Sequence, residues 1–173
     1  MRFIIAQCFG FLGILIYLCC FHFKEMKTIR KAKMAMDVVY GTHYFLLGAL
    51  SGFAVNAICF FREIVYINND KPFFKSRIWF YVFMGVSLGS AILTWQSLYS
   101  ILPALTACIG TYSFWQGKPQ RARILALTNN VLMFTYDLFV LSYMGLVAES
   151  LAFVSVTVAL VREYKKNKSP AKT

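Results

Sequence analysis

Apolar residues fall into blocks of lipid-crossing length. Three stretches without Lys or Arg, Met34 to Phe61, Ile78 to Gly117 and Ile124 to Val161, are separated by compact basic clusters. A helix of about 20 residues crosses a bilayer core. Each stretch is therefore long enough to cross, turn and cross back, and the apolar run Phe3 to Phe23 adds one crossing. The pattern predicts helices over 3–23, 34–50, 53–67, 78–95, 98–116, 124–141 and 145–162. Helices two and three, like six and seven, are joined by almost no loop, which predicts two tight antiparallel hairpins. The expected fold class is an all-α membrane protein with seven transmembrane helices, forming a single domain over 1–173.

Charge gives this pattern a direction. Threading seven crossings puts seventeen of the eighteen Lys and Arg residues on one side and leaves only Arg2 opposite. By the positive-inside rule that side is the cytoplasm, with the amino terminus out and the carboxyl terminus in. The opposite turns, near Ser51-Gly52, Trp95-Gln96-Ser97 and Tyr143-Met144-Gly145, carry no charge. With 59% apolar and 14% charged residues, the chain has no material for a substantial soluble domain. A net charge of +11 raises nucleic acid as a partner, but no separate basic fold exists to hold it; these charges suit orientation and anionic lipid. The bilayer is the expected partner and nucleic acid is not. The five cysteines lie within the expected spans, lack metal-ligand spacing, and read as small packing residues. No small-residue cleavage site follows the first apolar run, which is read as a helix rather than a signal peptide. The Lys-rich tail, 164–173, is expected to be disordered.

Sliding the first three helices by 93 positions lays them on the last three. Arg30 then meets Arg123, Thr42 meets Thr135, Gly52 meets Gly145, Asp37 meets Asn130 and Asn56 meets Glu149. Turns and basic clusters fall in register too. This predicts a 3+1+3 parallel repeat, with repeat one at about 3–67, a linker helix at about 78–95 and repeat two at about 98–162. Gly85 and Gly89 give the linker a small-residue face, read as packing and as the surface for a homo-oligomer.

Acidic groups at membrane depth are the informative ones, because a charge near the centre costs about 2.5–3.5 kcal/mol on the insertion scale. Asp137 and Glu149 face each other across the second hairpin. They could share a proton, accept hydrogen bonds from a solute or bind a cation; Glu149 could equally cap a helix start near the outer interface. Asn130 and Asp137 share a stripe, which helix two repeats with Asp37, Tyr40 and Tyr44. His43 and Tyr136 are counterparts one position round the helix. Asp37, Tyr44, Asn130 and Asp137 are expected to line one central cavity, with Asn56 and Glu149 towards its outer mouth. Asn side chains can also simply bond helix to helix. Gly10, Gly13 and Pro103 are the expected hinges of the first helix in each repeat. Gly85 to Gly89 matches G-x-S-x-G, but within an apolar span and in a chain whose only histidines are His22 and His43, so an enzyme is not expected. No motif for a metal or another cofactor is present, and none is expected.

Across nearly the whole chain the sequence resembles the YgjV-like bacterial inner-membrane proteins. The resemblance lies in His43-Tyr44-Phe45-Leu46-Leu47-Gly48 followed by Asn56 and Arg62, in Leu102-Pro103, in Ser113-Phe114-Trp115 with the basic Lys118 to Arg123 segment, and in Gly145 and Glu149. Where that family is expected to carry Asn, this chain has Asp137. The resemblance implies an inner-membrane location and a distant relation to PQ-loop and SWEET-type transporters, which share the three-one-three arrangement. Pro119-Gln120 lies in a cytoplasmic loop and is not their intramembrane signature. The implied activity is transport of an unidentified small solute; a non-transporting membrane scaffold is the alternative.

Overall fold

The computed structural model describes residues 1–20 and 22–168, with side chains described up to Lys165. Among the described residues the fold is all-helical. It comprises α1 (Arg2–Cys20), α2 (Met26–Leu47), α3 (Leu50–Ile67), α4 (Ile78–Leu93), α5 (Ile101–Trp115), α6 (Pro119–Phe139) and α7 (Tyr143–Lys168), with a 3-10 turn over Leu98–Ser100 before α5.

Two basic clusters, expected as loops, are instead the first turns of α2 and α6. At Met26 to Lys33 the cause is Ile29, which is fully buried and shares a face with Met36, so burial continues the helix past the apolar boundary. Pro119 opens α6 at a position where a missing N–H costs no helical bond. Of the tail expected to be disordered from Tyr164, residues 164–168 are instead the end of α7, and 169–173 lie outside the described residues.

Among the described residues, three helices are long and apolar enough to cross a membrane: Arg2–Cys20, Leu50–Ile67 and Tyr143–Lys165. Ile78–Leu93 is a shorter apolar helix. α2 and α6 are long but polar, because their first turns are basic and their inner faces hold Asp37, His43, Asn130 and Asp137. The arrangement inverts that of a water-soluble protein. Ile92 and Leu93 are 78% and 87% exposed while Asp37, His43 and Asp137 are buried, so the exterior is oily and the interior polar.

The main packing runs α1 on α2, α2 on α3, α3 on α5, α5 on α6, α6 on α7 and α7 back on α1, with α4 outside against α3 and α5. Exchanging α1–α3 with α5–α7 leaves this order unchanged. The hairpin turns agree in detail. Gly48 (φ 75°) and Leu141 (φ 53°), 93 residues apart, are both left-handed. Beside them Ala49 N–H donates to the Tyr44 carbonyl at 2.9 Å, and Ser142 N–H to the Asp137 carbonyl at 3.0 Å.

The expected hinges sit at close-packed places. α1 runs unbroken through Gly10 and Gly13, whose added Cβ atoms would lie 2.6 Å from Met144 Cβ and 2.7 Å from the Tyr40 ring. These glycines let α7 and α2 approach α1. Pro103 is the third residue of α5 and buried, so it lies in a first turn rather than at a mid-helix kink. Gly85 and Gly89 face open space, with nothing within 4 Å of an added Cβ.

Candidate functional site: a polar-walled cavity between the helices

The last turns of α2 and α6 place four large polar residues at one end of the ring. His43, Tyr44, Tyr136 and Asp137 follow the buried stripes of the two helices, and all are essentially inaccessible. The Tyr44 hydroxyl donates to Asp137 Oδ1 at 2.8 Å. Tyr136 Oη accepts from Gly52 N–H at 3.1 Å and shares a 2.8 Å hydrogen bond with Ser51 at the start of α3. His43 Nδ1 lies 2.7 Å from the Ala6 carbonyl, and Nε2 lies 2.8 Å from Ser142 Oγ in the α6–α7 turn. A carbonyl only accepts, so Nδ1 holds the proton, and in the neutral ring Nε2 accepts from Ser142. Gly52 and Gly145 make room: an added Cβ would strike the Tyr44 ring at one and the Asp137 carboxyl at the other.

Beneath this layer lies a cavity of about 80 Å³ whose walls come from α1, α2, α3, α5, α6 and α7. Its polar wall includes Tyr17, Lys33, Asn56, Arg62, Asn130 and Glu149. The Asn130 amide, turned so that its nitrogen donates, reaches Glu149 Oε2 at 3.1 Å and the Ala126 carbonyl at 3.0 Å, while its oxygen accepts from Phe153 N–H at 3.2 Å. The Tyr17 hydroxyl is hydrogen-bonded to the same amide. Lys33 bonds Asp37 one turn on, and Arg62 is held by Glu63 at 2.7 Å, by Thr111 at 3.3 Å and by the Ala107 carbonyl at 3.2 Å. Gly110 admits the guanidinium, since an added Cβ would be 3.0 Å from Arg62 Nη1. The Tyr40 hydroxyl and Asn129 Oδ1, on residues that line the cavity, have no protein partner.

Arg30 and Arg123 occupy the opposite end. Arg30 donates to the Tyr66 carbonyl at 2.6 Å and to the Phe114 carbonyl near the end of α5. Arg123 donates to Glu163 at 2.6 Å and to the Phe23 carbonyl, just past α1, at 3.1 Å.

The expected site is thus partly redistributed. Tyr44 and Asn130 line the cavity as expected, and so do Asn56 and Glu149, which were placed at an outer mouth. Six residues separate Glu149 from the start of α7, about 9 Å at 1.5 Å per residue, which carries it inward past the turn. Asp37 and Asp137 are off the wall: Asp37 is taken up by Lys33, and Asp137 by Tyr44 in the layer above with His43 and Tyr136. Lys33, Arg62 and Tyr17 were missed as site residues. A sign existed for two of them, in the i,i+4 spacing of Lys33 and Asp37 and in Glu63 directly after Arg62.

An oily exterior, a polar closed interior and helices of lipid-crossing length define an all-helical membrane protein. Residues 4–167 match the Imp-YgjV family model, described as bacterial inner membrane protein, and the chain belongs to that family. No curated protein and no solved structure matches the chain.

Proposed function

We propose that this inner-membrane protein is a small-solute carrier in which all seven helices cross the bilayer. In this reading α1–α3 and α5–α7 are parallel repeats and α4 is the linker. One observation carries the reading: a cavity with a polar wall lies between two sets of bonds that join the two three-helix units, made from positions 93 residues apart. At the outer end Tyr44 bonds its own counterpart Asp137, and His43 and Tyr136 each bond the other unit's hairpin turn. At the inner end Arg30 and Arg123 each bond a carbonyl at the end of the other unit's first helix. A carrier opens its site to one side at a time. Rocking one unit on the other breaks one set of bonds and keeps the other.

Size and polarity support the same reading. About 80 Å³ is several times the roughly 10–15 Å³ that one water centre needs. The inward polar stripes of α2 and α6 account for their low apolarity, because such groups in a crossing helix face the interior rather than lipid. The resemblance to SWEET-type carriers agrees with this arrangement by analogy only.

Uptake of a panel of small polar solutes into proteoliposomes tests the proposal. The parent protein is expected to transport one class, and Glu149→Gln and Asp137→Leu, once shown to insert, are expected to reduce that transport. Absence of transport across the panel would turn the reading towards a membrane scaffold, and transport unaffected by both changes would remove these acids from the mechanism.

A further inference from the structure

Asn130 and Glu149 are reached from a second direction. A cleft of about 340 Å³ opens between α6 and α7 on the outside of the ring, and these two buried residues lie at its inner end. Its sides are Val131, Phe134 and Thr135 on α6 and Ser150 and Phe153 on α7. Val131, Phe134 and Phe153 are exposed, so the mouth faces the medium around the helices, which for an inner-membrane protein is the bilayer. Sequence accounts for the cleft. The position 93 residues before Phe134 is Gly41, where an added Cβ would lie 3.5 Å from Asn56 Cβ, so α2 and α3 are close there. Between α6 and α7 the ring of Phe134 stands at the corresponding place.

Glu149 also differs from the other buried acids in its partners. Asp37 is paired with Lys33, Glu63 with Arg62, and Asp137 accepts from Tyr44. Among the described residues, Glu149 accepts from the Asn130 amide and is in no salt bridge, since Lys33 on the same cavity wall is bonded to Asp37. A lone carboxylate in low dielectric is costly, and a bonded cation offsets that cost. A cation arriving by this route passes between apolar side chains and so needs an apolar body of its own.

We propose that the α6–α7 cleft binds a membrane-dissolved amphiphile with a cationic amine head, its ammonium on Glu149 and its chain between Phe134 and Phe153. The site does not require transport. Its test is covalent labelling of the full chain in liposomes with a hydrophobic carbodiimide, dicyclohexylcarbodiimide, against a water-soluble one. The Glu149 carboxyl adds across one C=N bond: its oxygen bonds the carbodiimide carbon and its proton passes to nitrogen. Acyl migration then breaks the bond between the carboxyl carbon and that oxygen, which stays behind as the urea carbonyl, and joins the carboxyl carbon to nitrogen, leaving a stable N-acylurea that contains every atom of the reagent. Mass spectrometry of the α7 peptide reads the site.

The hydrophobic reagent is expected to modify Glu149 at least about tenfold faster than the soluble one, and dodecylamine is expected to slow it at least about fivefold while dodecanol does not. Thr135→Trp and Ser150→Trp, two independent ways to fill the cleft from exposed or half-buried positions, are expected to slow labelling. No modification of Glu149, equal modification by the soluble reagent, or equal protection by dodecanol would each overturn the proposal.

Discussion

Replacing Tyr44 with Phe tests whether the outer bonds hold the cavity shut. The change keeps the ring, which packs 5.9 Å from Tyr136 between centroids, and removes only the hydroxyl that donates to Asp137 at 2.8 Å. Asp137 Oδ2 already lacks a partner, so the carboxyl would lose its bond to α2. A hydrogen bond to a charged group contributes about 1.5–3 kcal/mol. At 1.4 kcal/mol per factor of ten, opening on the outer side should rise about tenfold or more. The chain holds its own reporter, since Cys59 is buried and lines the cavity. Alkylation of Cys59 by a membrane-impermeant maleimide, read by mass spectrometry on the α3 peptide, distinguishes it from the other four cysteines. Added to the outer face of spheroplasts, the reagent should label Tyr44→Phe at least about tenfold faster than the parent. Arg30→Gln, which weakens the opposite closure, should instead raise labelling in inside-out vesicles. Labelling of Tyr44→Phe that is unchanged, or that rises equally from both sides, would refute the reasoning, the second because it marks general loosening.

Leu141 is a left-handed leucine, a conformation costing an L residue roughly 1–2 kcal/mol, and its side chain is exposed; Leu141→Gly should raise the detergent melting temperature by about 2–4 °C, while Gly48→Leu should lower it. Gly13→Ala forces a Cβ to 2.7 Å from the Tyr40 ring and should cost about 1–3 kcal/mol by thermal melting, whereas Gly85→Ala meets open space and should be neutral or slightly stabilising. A fluorescent protein fused after Lys166 should mature in the cytoplasm, and alkaline phosphatase at the same place should be inactive; the reverse would break the seven-crossing reading.

Lipid-length apolar blocks made the helices legible, and uncharged turns made the hairpins legible, because both follow from local composition. The helix start at Met26 was not, because it depends on Ile29 and Arg30 finding burial against distant helices, and the start at Pro119 is followed in the same way by buried Ala122 and Arg123, which no local window reveals. In the site, the 93-residue register brought Tyr44 and Asp137 into one list, but only packing reveals that they bond each other and that Asp137 is thereby held off the wall that Tyr44 shares with Asn56 and Glu149. Lys33 and Arg62 were hidden by their company. Each belongs to a basic cluster that sets orientation, and composition cannot say which member of a cluster turns inward. Gly10 and Gly13 had the mirror problem: a missing side chain suits a hinge and a tight contact equally well in sequence, and only the fold shows Met144 packed against the one and the Tyr40 ring against the other.

α4 packs mainly on α3 and α5, and none of its residues is in the cavity wall. The exposed stretch 69–77 joins it to α3, so a backbone break there would cut no element that builds the interior. The chain is in that sense two assemblies joined by a tether, and co-expressed fragments 1–72 and 73–173 should find each other in the membrane and rebuild the same cavity.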